Sequence, residues 1–329
     1  MTNLFWKNQL GKVQVSCGDS LSLMQHCIPP KSVEVVVTSP PYNAGMKYGK
    51  YRDNRPDDEY LGWLDKVFAA IKVVLKENGS FFLNVGSKPT DPKRARLILD
   101  IAERHFVVQN EIIWVKSITV GNESYGHYTP LNSDRFLNHN WEYVFHLTKT
   151  GKVPIARLAI GVPYKDQNNT KRFKSKRTAR CRGNVWLIPH ETAQDQSDKW
   201  NHPCPFPPTL ADWCIRLHGV RDDLLVLDPF NGIGSSTVAM TQLGVCGMGI
   251  DVDPLYCEAA VSRIENVLAD ELIICIEDCF SMRERPIPPT DILAWGARES
   301  VSDETVIRLL RKLSSAHRRL IDNGDSLAA

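Results

Sequence analysis

Residues 35–45 of the chain read VVVTSPPYNAG. A β-branched run, which favours extended backbone, leads into Ser39, Pro40, Pro41 and Tyr42. Proline has no backbone N–H to continue a ladder and fixes its own φ, so a strand stops here with a hydroxyl and an aromatic ring at its tip. A second stretch, LVLDPFNGIGSS at 225–236, sets Gly232 and Gly234 between a strand and a helix, where missing Cβ atoms let a nucleotide approach the backbone. Asp228 and Phe230 precede the glycines, and Asp251 ends the next strand, where a carboxylate can accept hydrogen bonds from both hydroxyls of a ribose. The turn departs from the dinucleotide fingerprint at its third position, Thr237. Each stretch also fits a blander role: a strand-ending proline turn with a core aromatic, and a tight strand-to-helix turn with a capping aspartate.

The elements that must carry these residues alternate between strand and helix. KVQVSCGD (12–19) and VEVVVTS (33–39) read as short buried strands. Residues 58–76 place Leu61, Leu64, Val67, Phe68, Ile71, Val74 and Leu75 on one helical face, and the following Glu-Asn-Gly is expected to stop that helix before the strand SFFLNVG. A helix near 93–104 follows, and then FVVQNEIIWVK and WEYVFHLTK, which suit an antiparallel edge hairpin. Residues 150–205 are polar with little periodicity. The rhythm resumes at PPTLADWCIRLHG, where Leu210, Trp213, Cys214 and Leu217 share a face and Gly219 can cap the end. A strand at 224–228, a helix to about 243, a strand at 245–251 and a helix from Pro254 complete the pattern. Such alternation predicts an α/β fold with a mostly parallel sheet covered on both faces. Ligands of open α/β sheets sit beyond the carboxyl ends of the strands, so the serine-proline tip and the glycine turn face one crevice.

Composition narrows the class. The 329 residues are 43% hydrophobic, ample for a packed core, and 40 basic against 38 acidic side chains leave a net charge of +2. Any surface for nucleic acid must therefore come from local clustering. Nine cysteines, an odd number without tight paired spacing, read as reduced thiols rather than disulfides or a zinc site. No signal peptide or membrane-spanning run is apparent, so a cytosolic protein without a metal is expected.

Together, TSPPYN, LDPFNGIGSSTVA and GIDVDP resemble the S-adenosylmethionine-dependent amino-methyltransferases of DNA, in the β arrangement where the catalytic motif precedes the cofactor motif. SCGDS, with Gly18 and Asp19, and NHPCPFPPTLADWCI resemble two further segments of that group, and the likeness runs from about residue 13 to 268. It implies a Rossmann-like methyltransferase sheet with circularly permuted motif order. The implied organisation is a catalytic half at 1–149, a basic target-recognition region at 150–200, a cofactor-binding half at 201–269 and a C-terminal helical extension at 270–329. The implied catalytic residues are Ser39, Pro40, Pro41 and Tyr42. The residues implied to hold S-adenosylmethionine are Asp19, Phe206, Pro207, Asp228, Pro229, Phe230, Gly232, Gly234, Ser235 and Asp251.

The chemistry suits these groups. An exocyclic amine on a base shares its lone pair with the ring and is a poor nucleophile until acceptors hold its hydrogens. Ser39 and the carbonyl of Pro40 are placed to do so without a covalent intermediate. A paired base cannot reach such a site, so the resemblance implies base flipping in double-stranded DNA, with Tyr42 stacking on the base for about 1–3 kcal/mol. Lys171, Arg172, Lys174, Lys176, Arg177, Arg180 and Arg182 form a basic run with no acid in it, suited either to phosphates or to a solvated face. In the related families serine before the two prolines is commoner for the cytosine N4 amine, which favours that target over adenine N6, with a restriction–modification role and a cognate endonuclease as partner. A nicotinamide oxidoreductase, an inactive DNA-binding regulator and an RNA or protein amino-methyltransferase remain as alternatives.

His127, His139, His202 and Cys204 have no spaced partner and are set aside as bases or nucleophiles. Trp114 and Trp141 are expected to pack the sheet. In the tail, Val306, Leu309, Leu310, Leu313 and Leu320 mark an amphipathic helix compatible with packing, homodimerisation or DNA contact.

Overall fold

The computed structural model of the chain describes residues 4–7, 11–126, 131–165, 179–189 and 205–283. Along the chain these form β1 (Leu4–Lys7), β2 (Val13–Cys17), α1 (Ser20–His26), β3 (Val33–Thr38), α2 (Asp57–Val74), β4 (Leu75–Val85), α3 (Arg94–Ala102) and β5 (Val107–Val115). There follow β6 (Ile118–Val120), β7 (Glu123–Tyr125), β8 (Trp141–Thr148), β9 (Val162–Pro163), β10 (Ala179–Arg180) and β11 (Val185–Leu187). The last are α4 (Pro208–His218), β12 (Leu225–Asp228), α5 (Ser235–Gln242), β13 (Cys246–Asp251) and α6 (Pro254–Arg283).

Among the described residues nine strands make one sheet in the order β1-β2-β13-β12-β3-β4-β8-β5-β11. The five from β2 to β4 run parallel, β8 lies antiparallel between β4 and β5, and β1 adds an antiparallel edge. This is the expected mostly parallel sheet with an antiparallel β5–β8 pair, except that β11 flanks β5, so the pair is not the edge of the sheet. One core lies under α4, α5 and α6 around Val15, Val37, Leu210, Ala239 and Ile264; the other lies under α1, α2 and α3 around Val36, Leu64, Phe68, Ile71 and Ile98. β3 is buried at every residue, as a strand covered on both faces must be.

Three details differ from the sequence reading. Helix α2 stops at Val74, and Leu75 already has extended backbone. Glu77-Asn78-Gly79 lies within β4, in a bulge where the register jumps from Val33↔Leu75 to Val35↔Ser80. Second, residues 150–205 are not wholly outside the sheet: β11 pairs in parallel with β5 and delivers Trp186 to the core, while β9 and β10 form a separate ribbon. Third, Trp114 is buried and donates from Nε1 to the Ile188 carbonyl at 2.8 Å, whereas Trp141 is 40% exposed, edge-on to Tyr143. Among the described residues no helix is long and apolar enough to cross a membrane.

Candidate active site

At the carboxyl ends of the parallel strands lies a cavity of about 610 Å³. That is within the range of roughly 300–1,000 Å³ typical of ligand pockets. Ser39, Pro40, Pro41 and Tyr42, leaving the end of β3, line one side of it. Asp19, Phe206, Pro229, Phe230, Gly232, Ser235 and Asp251 line the other. The serine-proline tip and the glycine turn thus share one crevice, as parallel strand order requires.

The turn after β3 is held from several directions. Tyr60, buried in α2, donates its hydroxyl to the Pro41 carbonyl at 2.7 Å. Buried Asp53 accepts from the backbone N–H groups of Asn43, Ala44 and Met46 at 2.9, 3.0 and 2.9 Å, fixing the loop that follows. Ser39 Oγ lies 2.7 Å from the Tyr42 hydroxyl, which in turn lies 3.1 Å from Glu142 Oε2. Glu142 Oε2 also accepts from Asn84 Nδ2 at 3.0 Å, and Glu142 Oε1 pairs with Lys116 at 2.9 Å. Burial works against ionisation of Glu142. The Lys116 ammonium and the donors Asn84 and Tyr42 outweigh it and hold the carboxyl below its usual range.

At the other end, Asp251 accepts from Gly232 N on Oδ2 and from Asp253 N on Oδ1, each at 2.9 Å. Each oxygen keeps a second lone pair for a ribose hydroxyl. Burial pushes this carboxyl up to about 6 against those two donors. Gly234 has φ +87°, and a Cβ there would meet Ala260 Cβ at 2.7 Å, so the turn into α5 admits only glycine comfortably. Asn231 is buried at the cavity wall. Its Oδ1 accepts from Thr237 Oγ1 at 3.2 Å, while its Nδ2 has no partner. A carboxylate at the cavity wall with spare lone pairs fits a polar nucleoside ligand better than an empty turn.

The expected residues divide. Asp19 lines the cavity while capping α1 through Ser22 N at 2.8 Å. Asp228, Pro207 and Gly234 do not line it: Asp228 is buried behind the wall on Thr38, Pro207 caps α4 and Gly234 caps α5. Of the basic run, Arg180 is exposed, while Arg182 holds the Ile160 carbonyl at 2.9 Å with its guanidinium carbon 4.0 Å from the Trp213 ring centre. Lys171, Arg172, Lys174, Lys176 and Arg177 lie outside the described residues, as do His127, His202, Cys204 and the tail after Arg283. His139 binds the Ser87 carbonyl at 2.7 Å. Residues missed in the sequence are Asn84, Lys116, Glu142 and Asn231. Asn84 near the end of β4 was the most legible, since a strand end at the crevice is a place to look. Among the described residues no cluster of His, Cys, Asp or Glu is arranged to hold a metal.

Residues 33–262, more than half the chain, match the family model for N6 and N4 methyltransferases described as DNA methylase. The chain belongs to this DNA methylase family. It is an S-adenosylmethionine-dependent DNA amino-methyltransferase. Among relatives, the type II methyltransferase M.HpaI of Haemophilus parainfluenzae is 24% identical over 330 residues, covering 95% of this chain and 97% of that one. M.ScaI of Streptomyces caespitosus is 27% identical over 261 residues, covering 75% and 80%. The solved PvuII DNA methyltransferase, described as cytosine-N4-specific, superposes with a TM-score of 0.58 at 19% identity over 81% of this chain and 94% of its own, which shows a shared fold.

Proposed function

We propose that this DNA methylase modifies the exocyclic N4 amine of a cytosine flipped out of duplex DNA, as the modifying member of a restriction pair. The observation that carries the reading is Ser39 Oγ at the cavity wall, locked 2.7 Å from the Tyr42 hydroxyl and facing the crevice that Asp251 also lines. A hydroxyl can accept from the amine or donate to the ring nitrogen beside it, and it carries no charge that a neutral base must desolvate.

In this reading Asp251 takes the ribose hydroxyls of the cofactor, and Phe230 packs on an apolar face. S-adenosylmethionine, when bound, supplies an electrophilic methyl group on a sulfonium. Ser39 and the Pro40 carbonyl hold the amino hydrogens, so the nitrogen lone pair turns out of conjugation and towards the cofactor side. Tyr60, by taking the Pro41 carbonyl, fixes the turn that aims both acceptors. The ring of Tyr42 faces the extruded base while its hydroxyl is anchored; the stacking contributes about 1–3 kcal/mol towards the few kcal/mol that flipping costs. The catalytic effect is mainly positioning in a preorganised polar site.

Adenine N6 is the second reading, because the matched family model covers both amines and Ser39 can serve either. Methylated duplex DNA digested to nucleosides and analysed by mass spectrometry separates them. N4-methyldeoxycytidine is the expected product; N6-methyldeoxyadenosine alone would replace the target base while leaving the amine chemistry intact.

A further inference from the structure

Glu142 has no part in the roles so far assigned, yet it reaches the catalytic hydroxyls. It sits at the start of β8, among the described strands the one antiparallel to its neighbours on both sides, so its amino-terminal end comes to the crevice that the parallel strands reach with their carboxyl ends. Its side chain is 15% exposed and makes a continuous path: Ser39 Oγ to Tyr42 hydroxyl at 2.7 Å, Tyr42 hydroxyl to Glu142 Oε2 at 3.1 Å. Lys116 on Oε1 and Asn84 on Oε2 complete the shell. A near-buried carboxylate is costly unless paired, and pairing it beside two catalytic hydroxyls calls for a reason beyond stability, because an apolar pair of similar size would hold β5 against β8 at least as well.

We propose that Glu142 is the proton outlet of the methyl-transfer site, drawing the surplus proton of the target amine through Ser39 and Tyr42. The proposal rests on the amino-methyl reading above. When the amine nitrogen forms its bond to the methyl carbon, the carbon–sulfur bond breaks with its electron pair left on sulfur, and the nitrogen carries one hydrogen too many. As that N–H bond breaks, Ser39 Oγ takes the proton and gives its own to the Tyr42 oxygen, whose proton passes to Glu142 Oε2. The chain of hydroxyls ends as it began, and the net change is one proton moved from nitrogen to carboxylate. The carboxyl then releases it to water through the cavity mouth, and Lys116 restores the ionised form. An alkylated exocyclic amine that still bears its extra proton is far more acidic than a carboxylic acid. A carboxylate held ionised by Lys116 is therefore a competent acceptor despite its weakened basicity.

Glu142 is thus a positioning and relay residue that acts through Tyr42, and a purely structural ion pair gives a different pattern of results. Single-turnover methyl transfer to duplex DNA is measured with the cofactor prebound, alongside equilibrium cofactor and DNA affinities and thermal midpoints. Glu142→Gln keeps the shape and removes the acceptor; Tyr42→Phe keeps the ring and the Glu142–Lys116–Asn84 cluster but cuts the path. Each is expected to lose about a hundredfold in single-turnover rate, the low end for a lost general base. Both affinities should stay within threefold of wild type, the double variant should be no slower than the slower single, and Glu142→Asp should recover at least tenfold. A Glu142→Gln rate equal to wild type, or losses that multiply in the double variant, would overturn the relay. Should Glu142→Gln fail to fold, Tyr42→Phe with a wild-type rate overturns it equally. Wild-type enzyme that methylates no DNA amine at all removes the underlying reading and the relay with it, an outcome distinct from a failure of Glu142 alone.

Discussion

Thr38 Oγ1 donates a 2.5 Å hydrogen bond to Asp228 Oδ1, joining the last residue of β3 to the last residue of β12. One strand leads into Ser39 and the other into the glycine turn, so this buried contact sets the spacing between the amine side of the crevice and its cofactor side. Burial pushes the Asp228 carboxyl up to about 6, and the Thr38 hydroxyl and Phe230 N–H pull it back down.

Thr38→Val should therefore destabilise the protein by about 1–3 kcal/mol, since it leaves a buried carboxylate short of a donor. The loss should be larger at pH 7.5, where Asp228 is ionised, than at pH 5, where it is mostly protonated. Urea unfolding of wild type and variant at the two pH values checks both magnitude and sign. Equal losses at both would mean that the contact does not hold a carboxylate.

Asp251 gives a pH dependence to cofactor binding. Burial pushes its carboxyl in the free protein up to about 6, and the ionised form is the one that accepts two hydroxyls. Affinity for S-adenosylmethionine should be level above pH 7 and fall by about tenfold near pH 5, one unit below that midpoint. Asp251→Ala should bind the cofactor more weakly at every pH, lose this dependence and leave DNA affinity close to wild type. Calorimetric titration across the pH range decides it; equal affinity in wild type and variant would remove Asp251 from the cofactor site.

His146 is fully buried, with Nε2 2.9 Å from Ser80 Oγ and Nδ1 2.9 Å from Asn110 Nδ2, and the same serine oxygen lies 2.9 Å from His218 Nδ1. Burial lowers both imidazoles to about 4, with His218 as a second cause for His146 and Arg221 for His218. A folded pKa below the unfolded value means that the contribution is fully present above about 6.5 and is lost as pH falls towards 4. Asp228 and Asp251 act with the opposite sign over part of that window, because their folded values are raised. Wild type and His146→Gln should therefore be compared: the variant's stability should decline less steeply between pH 6.5 and 4. Parallel unfolding curves in that range would mean that His146 is charged in the fold.

Much of the framework was legible because hydrophobic periodicity and strand-ending residues act locally. The helix through Leu64, Phe68 and Ile71 and the crevice between Ser39 and Asp251 follow from patterns a few residues long, whereas those patterns only allow the β5–β8 pairing. The bulge at Glu77-Asn78-Gly79 was misread because a glycine after a helical face looks like a cap, whereas the chain had already turned extended at Leu75. β11 was missed because a three-residue strand in a polar stretch carries too little pattern, although Trp186 is buried within it. Glu142 and Lys116 could not be read at all: they meet Tyr42 only because β8 enters the sheet antiparallel, and that direction depends on pairing with distant strands.

For the basic run the proposal is binding to DNA phosphates, supported by its charge and by the exposure of Arg180. Replacing Lys174, Arg177 and Arg180 together by glutamine should weaken binding to every duplex. It should also reduce the slope of log K against log salt by about 0.9 for each phosphate that is no longer neutralised. Arg182, seated on Trp213, should affect folding more than salt dependence. An unchanged slope in the triple variant would return the run to an ordinary solvated surface.

The central claim is that Ser39 holds the target amine in the crevice that Asp251 lines on its cofactor side. Single-turnover transfer of a labelled methyl group from S-adenosylmethionine to duplex DNA, by wild type and by Ser39→Ala shown to bind the cofactor equally well, tests it most directly. Wild type should place label on a base amine, and Ser39→Ala should be slower by roughly a hundredfold or more, the scale of one missing transition-state hydrogen bond in a preorganised site. Ser39→Ala turning over at the wild-type rate would contradict it.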